Sequence, residues 1–196
     1  MPPSPIVRVT KASRAFVPDS MTRWYGPGQV CLDAEVGDVV LVRHNSLVAK
    51  GIRAAERLRV PDPFCWTNHA AVVLAPGINA TIIEEGGKGS VTASLASMQA
   101  VEYTVTRLAA TPEALEDGAR FLNMTLGTGY GYLSIAADAF NAVTGVELAL
   151  GWGNRMVCST QTARFMERLG YVPDRSPYAI TPAHIAWHLN IAEPKG

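Results

Sequence analysis

The chain is expected to fold as an α+β domain built on a mainly antiparallel sheet. Two observations predict this. The first half carries short β-branched runs bounded by turn residues, and from Thr111 onward the apolar residues change to helical spacing with recognisable starts and stops. Strand and helix signals are also segregated along the chain, where a parallel βαβ sheet would need them to alternate.

Size and charge narrow the field further. The 196 residues include 17 Lys+Arg against 17 Asp+Glu, with 48% hydrophobic and 17% charged residues, the profile of a chain with an ordinary core. There is no cluster of basic residues to meet phosphates, so no nucleic-acid partner is expected. No stretch approaches the ~20 apolar residues of a membrane span, and the first residues lack the apolar region of a secretory signal. Three cysteines, Cys31, Cys65 and Cys158, are odd in number and widely spaced. That spacing matches neither a disulfide framework nor a zinc site, so free thiols in a reducing compartment are expected, with no metal or cofactor.

Residues 1–30 hold five prolines and little periodicity and read as an extended arm, leaving 31–196 as one domain. Gly37-Asp38 is a turn that launches a strand, Val39 to Arg43. Asn45 or Ser46 caps a helix reaching Leu58, with Val48, Ile52, Ala55 and Leu58 at helical spacing, and Val60-Pro61-Asp62-Pro63 stops it. Strands follow at His69 to Leu74, Thr81 to Glu85 and Val101 to Leu108. Thr111-Pro112-Glu113 starts a helix that Gly127 ends, with Leu115, Ala119, Leu122 and Leu126 as its stripe. Further helices are expected at Leu133 to Val143, at Ser159 to Leu169 with Gly170 as its stop, and from Thr181-Pro182.

Two glycine clusters resemble phosphate loops only superficially. In Gly86-Gly87-Lys88-Gly89-Ser90 the lysine is followed by glycine, and Gly127-Thr-Gly129-Tyr-Gly131 follows a helix where a dinucleotide fingerprint would follow a strand. Both read as turns.

Cys158 stands where an irregular Gly/Trp/Asn segment passes into a helix. The unpaired N–H groups of a first helical turn favour a thiolate, which is the nucleophilic form, and the Cys158 N–H can face a developing oxyanion. The bland alternative is a buried, inert thiol. His69 opens a small, apolar strand, a rigid mount for a base that takes the thiol proton and returns it to a leaving group. Glu84, ending the next strand, can orient the imidazole, but Glu85 is a rival because adjacent strand residues face opposite ways. His44, His184 and His188 have weaker settings. The last two are i,i+4 neighbours and give a metal reading together with a carboxylate, although no third ligand is apparent.

Taken in order, Gly37-Asp38-Val39-Val40-Leu41, Asn68-His69-Ala70-Ala71-Val72-Val73, Ile82-Ile83-Glu84, Gly129-Tyr130-Gly131-Tyr132 and Val157-Cys158-Ser159, with Thr181-Pro182 downstream, form a pattern. It resembles the circularly permuted branch of the NlpC-type papain-like cysteine peptidases and amidases over about residues 36–187. The resemblance implies a papain-like half-barrel packed against the cysteine-bearing helix, with Cys158 as nucleophile, His69 as base, Glu84 as orienter and Tyr130 near the substrate. Gly131 departs from the acidic residue that the family often carries there.

The leading expectation is a thiol hydrolase that cleaves an amide bond, in a peptide or cell-wall peptide, through an acyl-enzyme. Lipid acyl hydrolysis or transfer on the same site is the alternative, and a non-catalytic module that keeps the cleft is a second. The partners expected are a small peptide or acyl substrate. The setting is cytoplasmic, or carriage by a phage particle or secretion machine.

Overall fold

The computed structural model describes residues 21–86, 89–129, 157–172 and 175–194. Among these, six strands form one sheet: β1 (Thr22–Tyr25), β2 (Val39–Arg43), β3 (His69–Ala75), β4 (Thr81–Gly86), β5 (Gly89–Ser94) and β6 (Glu102–Thr106). Their order across the sheet is β1-β6-β2-β3-β4-β5, and every neighbouring pair is antiparallel. Among the described residues four α-helices accompany it: α1 (Leu47–Glu56), α2 (Pro112–Thr125), α3 (Cys158–Arg168) and α4 (Pro182–His188). The α+β class with an antiparallel sheet is therefore the observed architecture.

The period of two along each strand divides the core into two layers. Val39, Leu41, Ala70, Val72 and Ile83 face α3 and α4, meeting Ala163, Phe165, Met166, Ala183 and Ile185. Val40, Val42, Ala71, Val73 and Ile82 face the other way and are covered by Cys31, Ala34, Leu95 and Met98. Burial on both faces explains why β2 and β3 read as unbroken apolar runs instead of alternating patterns.

Close packing shows at two glycines. Gly37 adopts φ +89°, and a Cβ there would lie 2.6 Å from Leu115 Cδ2. A Cβ on Gly118 of α2 would lie 2.6 Å from Phe165 Cε2, so α2 and α3 touch where one side chain is absent.

Three elements differ from the sequence expectation. Within the proline-rich arm, Thr22–Tyr25 forms the edge strand β1 on β6, where backbone pairing and the Thr22–Thr106 hydroxyl contact replace any apolar periodicity. The expected single strand at 81–85 is the first half of a hairpin, since β5 pairs with it from Ser94 to Gly89. The third concerns α1, which begins after Ser46 as expected, the Ser46 hydroxyl accepting from Ala49 N–H. Its expected stripe is only partly turned inward, however: Val48 is 74% exposed and Leu58 63%, Ile52 and Ala55 are half-buried, and Ala49, Arg53 and Glu56 are the buried residues. Tertiary hydrogen bonds decide this. Arg53 reaches the His44 carbonyl and Asn68 Oδ1, and Glu56 Oε1 accepts from Ala183 N–H at the start of α4. The expected helix at 133–143 lies outside the described residues.

Candidate active site

His69 is the first residue of β3, and the register pairs Ala71 with Glu84. His69, two residues before Ala71, therefore shares a face of the sheet with Glu84. The imidazole Nε2–H donates to Glu84 Oε2 at 2.7 Å. The two side chains retain 14% and 19% of their exposure, so the pair is shielded yet reaches solvent.

Cys158 opens α3, which packs across β3 and β4. Its N-cap, Val157, is extended and makes no side-chain cap bond to the first-turn N–H groups, unlike Ser46 and Thr111 at the starts of α1 and α2. Gly170 ends the helix with φ +89°, as the sequence predicts. Cys158, at the start of α3, lies near enough to the His69 ring to act on its charge. Burial works against a charged ring, but Cys158 and then Glu84 outweigh it and hold His69 well above the usual histidine range. Glu84 responds in the opposite sense: the His69 hydrogen bond keeps its carboxyl below the usual range, against the effect of burial. His69 and Glu84 share one face of the hairpin, and Cys158, some ninety positions away in sequence, acts on the same ring from the start of α3.

The rivalry between the two glutamates resolves on register. Glu85 is opposite Ser90 and shares its face with Ile83, toward the helices. There Gln161 Nε2 donates to Ser90 Oγ at 2.7 Å and to Thr125 Oγ1 at 2.8 Å. Glu85 does not reach His69. Burial pushes its carboxyl up to about 8, with only the Ser90 hydroxyl easing the charge.

His184 and His188, the pair behind the less favoured metal reading, both lie on α4. His184 Nδ1 lies 2.9 Å from Thr181 Oγ1, within a capping box that starts α4. Among the described residues no group of three or more His, Cys, Asp or Glu side chains is arranged to hold a metal ion. Tyr130 lies outside the described residues. Cys31 and Cys65 are buried free thiols, and burial raises Cys65 to about 11.

The structure also brings His44 beside His69. Its ring centroid lies 5.6 Å from that of His69, tilted by 54°. The signal was topological: Val42 pairs with His69, so the residues that follow β2 must emerge beside the start of β3. Asn68 fastens the two ends, accepting through Oδ1 from His44 N–H at 2.8 Å and from Arg53 at 3.0 Å.

Among the described residues no helix is long and apolar enough to cross a membrane. The chain matches no known family's sequence profile, and no curated protein matches it.

Proposed function

We propose that the protein is a thiol hydrolase that cleaves amide bonds, of peptides or cell-wall peptides, through Cys158, His69 and Glu84. The observation that carries this reading is the 2.7 Å bond between His69 and Glu84, on a ring whose charged form Cys158 at the start of α3 also favours. A bare structural histidine has no need of both. The antiparallel sheet with α3 across it, and the chain order His69, Glu84, Cys158, support a circularly permuted papain-like fold.

The chemistry follows from the arrangement. With the proton on His69, the sulfur attacks the substrate carbonyl carbon and the C=O π electrons move onto oxygen. The oxyanion faces the Cys158 N–H, one of the unpaired donors of the helix start. Collapse of this adduct breaks the C–N bond as His69 gives its proton to the departing amine. His69, now neutral, takes a proton from water as the water oxygen attacks the thioester. Collapse of this second adduct breaks the C–S bond, its electron pair returns to sulfur, and the acid leaves with His69 again protonated. Glu84 fixes the ring orientation and steadies its positive charge throughout.

Alkylation by iodoacetamide tests the reading. Cys158 is expected to react at pH 7 faster than Cys31 and Cys65, and His69→Ala is expected to remove that advantage. Equal, slow labelling of all three thiols in the native protein would instead favour a binding module without turnover.

A further inference from the structure

We propose that His44 is a positioning residue for this site, whose neutral ring shields the His69–Glu84 pair and whose protonation draws Glu84 away from His69. The inference rests on the reading of Cys158, His69 and Glu84 given above, and it assigns that site a control by pH.

The placement of His44 is built, not incidental. Both its backbone groups are tied: N–H to Asn68 Oδ1 at 2.8 Å, and C=O to the Arg53 guanidinium at 2.5 Å. Asn68 is itself held by its N–H to the Val42 carbonyl at 3.0 Å, and it immediately precedes His69. The buried arginine of α1 thus locks the end of β2 against the start of β3. This gives a physical reason for α1 to bury Arg53 and leave Val48 in solvent. The clamp touches only the backbone of His44, so the ring is left to meet His69 at 5.6 Å.

Three charged or titratable groups face that ring: His69 from β3, Glu84 from β4 and Arg53 from α1. Burial first, then the charge of His69, with Arg53 adding and Glu84 opposing, holds His44 below the usual histidine range. Near neutral pH the ring is uncharged and keeps water from one side of the 2.7 Å pair, where a lower local dielectric strengthens the bond. On gaining a proton it becomes a second cation beside His69 and a second claimant on the Glu84 carboxylate. Both effects disfavour the His69 imidazolium, on which the reactivity of Cys158 depends in the reading above.

The experiment is the rate of Cys158 alkylation by iodoacetamide from pH 4.5 to 9, expressed for each protein as the ratio of its rate at pH 5 to that at pH 8. His44→Phe retains a ring that cannot charge, and its ratio is expected to exceed that of the wild type at least threefold. His44→Lys places a permanent charge there, and its rate at pH 8 is expected to fall at least threefold. A His44→Phe ratio equal to that of the wild type overturns the proposal, as does a loss that is uniform across pH, which marks a merely structural role. Should His44→Phe not fold, His44→Lys decides alone, and an unchanged rate at pH 8 overturns the proposal. His69→Ala is measured alongside. If it leaves the pH 7 rate unchanged, the site reading fails and takes this inference with it. If it lowers that rate while His44→Phe matches the wild type, only this inference fails.

Discussion

Glu84 and Glu85 are consecutive in β4 and lie on opposite faces of the sheet. Glu84 Oε2 accepts from His69 at 2.7 Å, while Glu85 is 2% exposed against the helical layer, and among the described residues neither of its oxygens meets a hydrogen-bond partner in good geometry. One residue of register separates an ionised carboxylate that steadies a cation from an acid that burial keeps protonated.

The two glutamates are therefore expected to give different phenotypes. Glu84→Gln keeps an oxygen for His69 but removes the charge, so hydrolysis of a peptide amide should fall about 10–100-fold, below the ~10²–10⁴-fold range of general acid–base catalysis. Glu85→Gln should leave the rate at pH 7 within about threefold of the wild type, since Glu85 does not reach His69. Steady-state kinetics of the two variants side by side make the comparison.

Glu85 also predicts a pH dependence of stability. Its folded value, about 8, lies above the ordinary carboxyl value of 4.5. A group raised on folding contributes stability that is complete below its unfolded value and is lost as pH rises through its folded one. The window thus runs from about pH 4.5 to 8, with the loss complete above it. Glu85→Gln cannot ionise, so relative to the wild type it should gain at least ~1 kcal/mol between pH 5 and 9. For a chain of this size that is ~2–4 °C in Tm. Thermal melts at the two pH values check it, and parallel shifts of both proteins would count against a buried acid.

Gly118→Ala tests the contact between α2 and α3. In an exposed helix this change stabilises by up to ~1 kcal/mol. Here the new methyl would meet Phe165 Cε2 at 2.6 Å and Cδ2 at 2.9 Å, and Phe165 is fully buried. Overpacking of this kind costs about 1–3 kcal/mol, so the sign should reverse. Urea unfolding of the variant reads it directly.

Cys65 gives an internal reference for thiol chemistry. Its Sγ lies 3.3 Å from the Val60 carbonyl, and burial, with Glu56 adding, raises it to about 11. Native Cys65 should stay unlabelled below pH 9 and become reactive only in denaturant. Peptide mapping after timed alkylation distinguishes it from Cys158.

Much of the fold was legible because local chemistry determines it. Ser46, Thr111 and Thr181 cap their helices as the sequence predicts, Gly170 takes the left-handed conformation that ends α3, and the apolar runs of β2, β3 and β4 are strands. β1 was not legible, because an edge strand whose ladder partner is eighty residues away carries little period of its own. The face of α1 was misread for a related reason. Its buried positions serve the distant groups Asn68, His44 and Ala183, so hydrogen bonding chose the face that hydrophobic spacing did not.

The candidate site divides along the same line. By itself the sequence determined that a cysteine begins a helix, that a histidine begins a strand, and that a glutamate pair ends the next one. Those are matters of caps, turns and a period of two. Only the tertiary structure decided which glutamate faces the imidazole, that the helix start acts on the ring at the strand start, and that His44 stands against His69. Strand register and helix docking are set by contacts between residues far apart in the chain, and no local pattern encodes them.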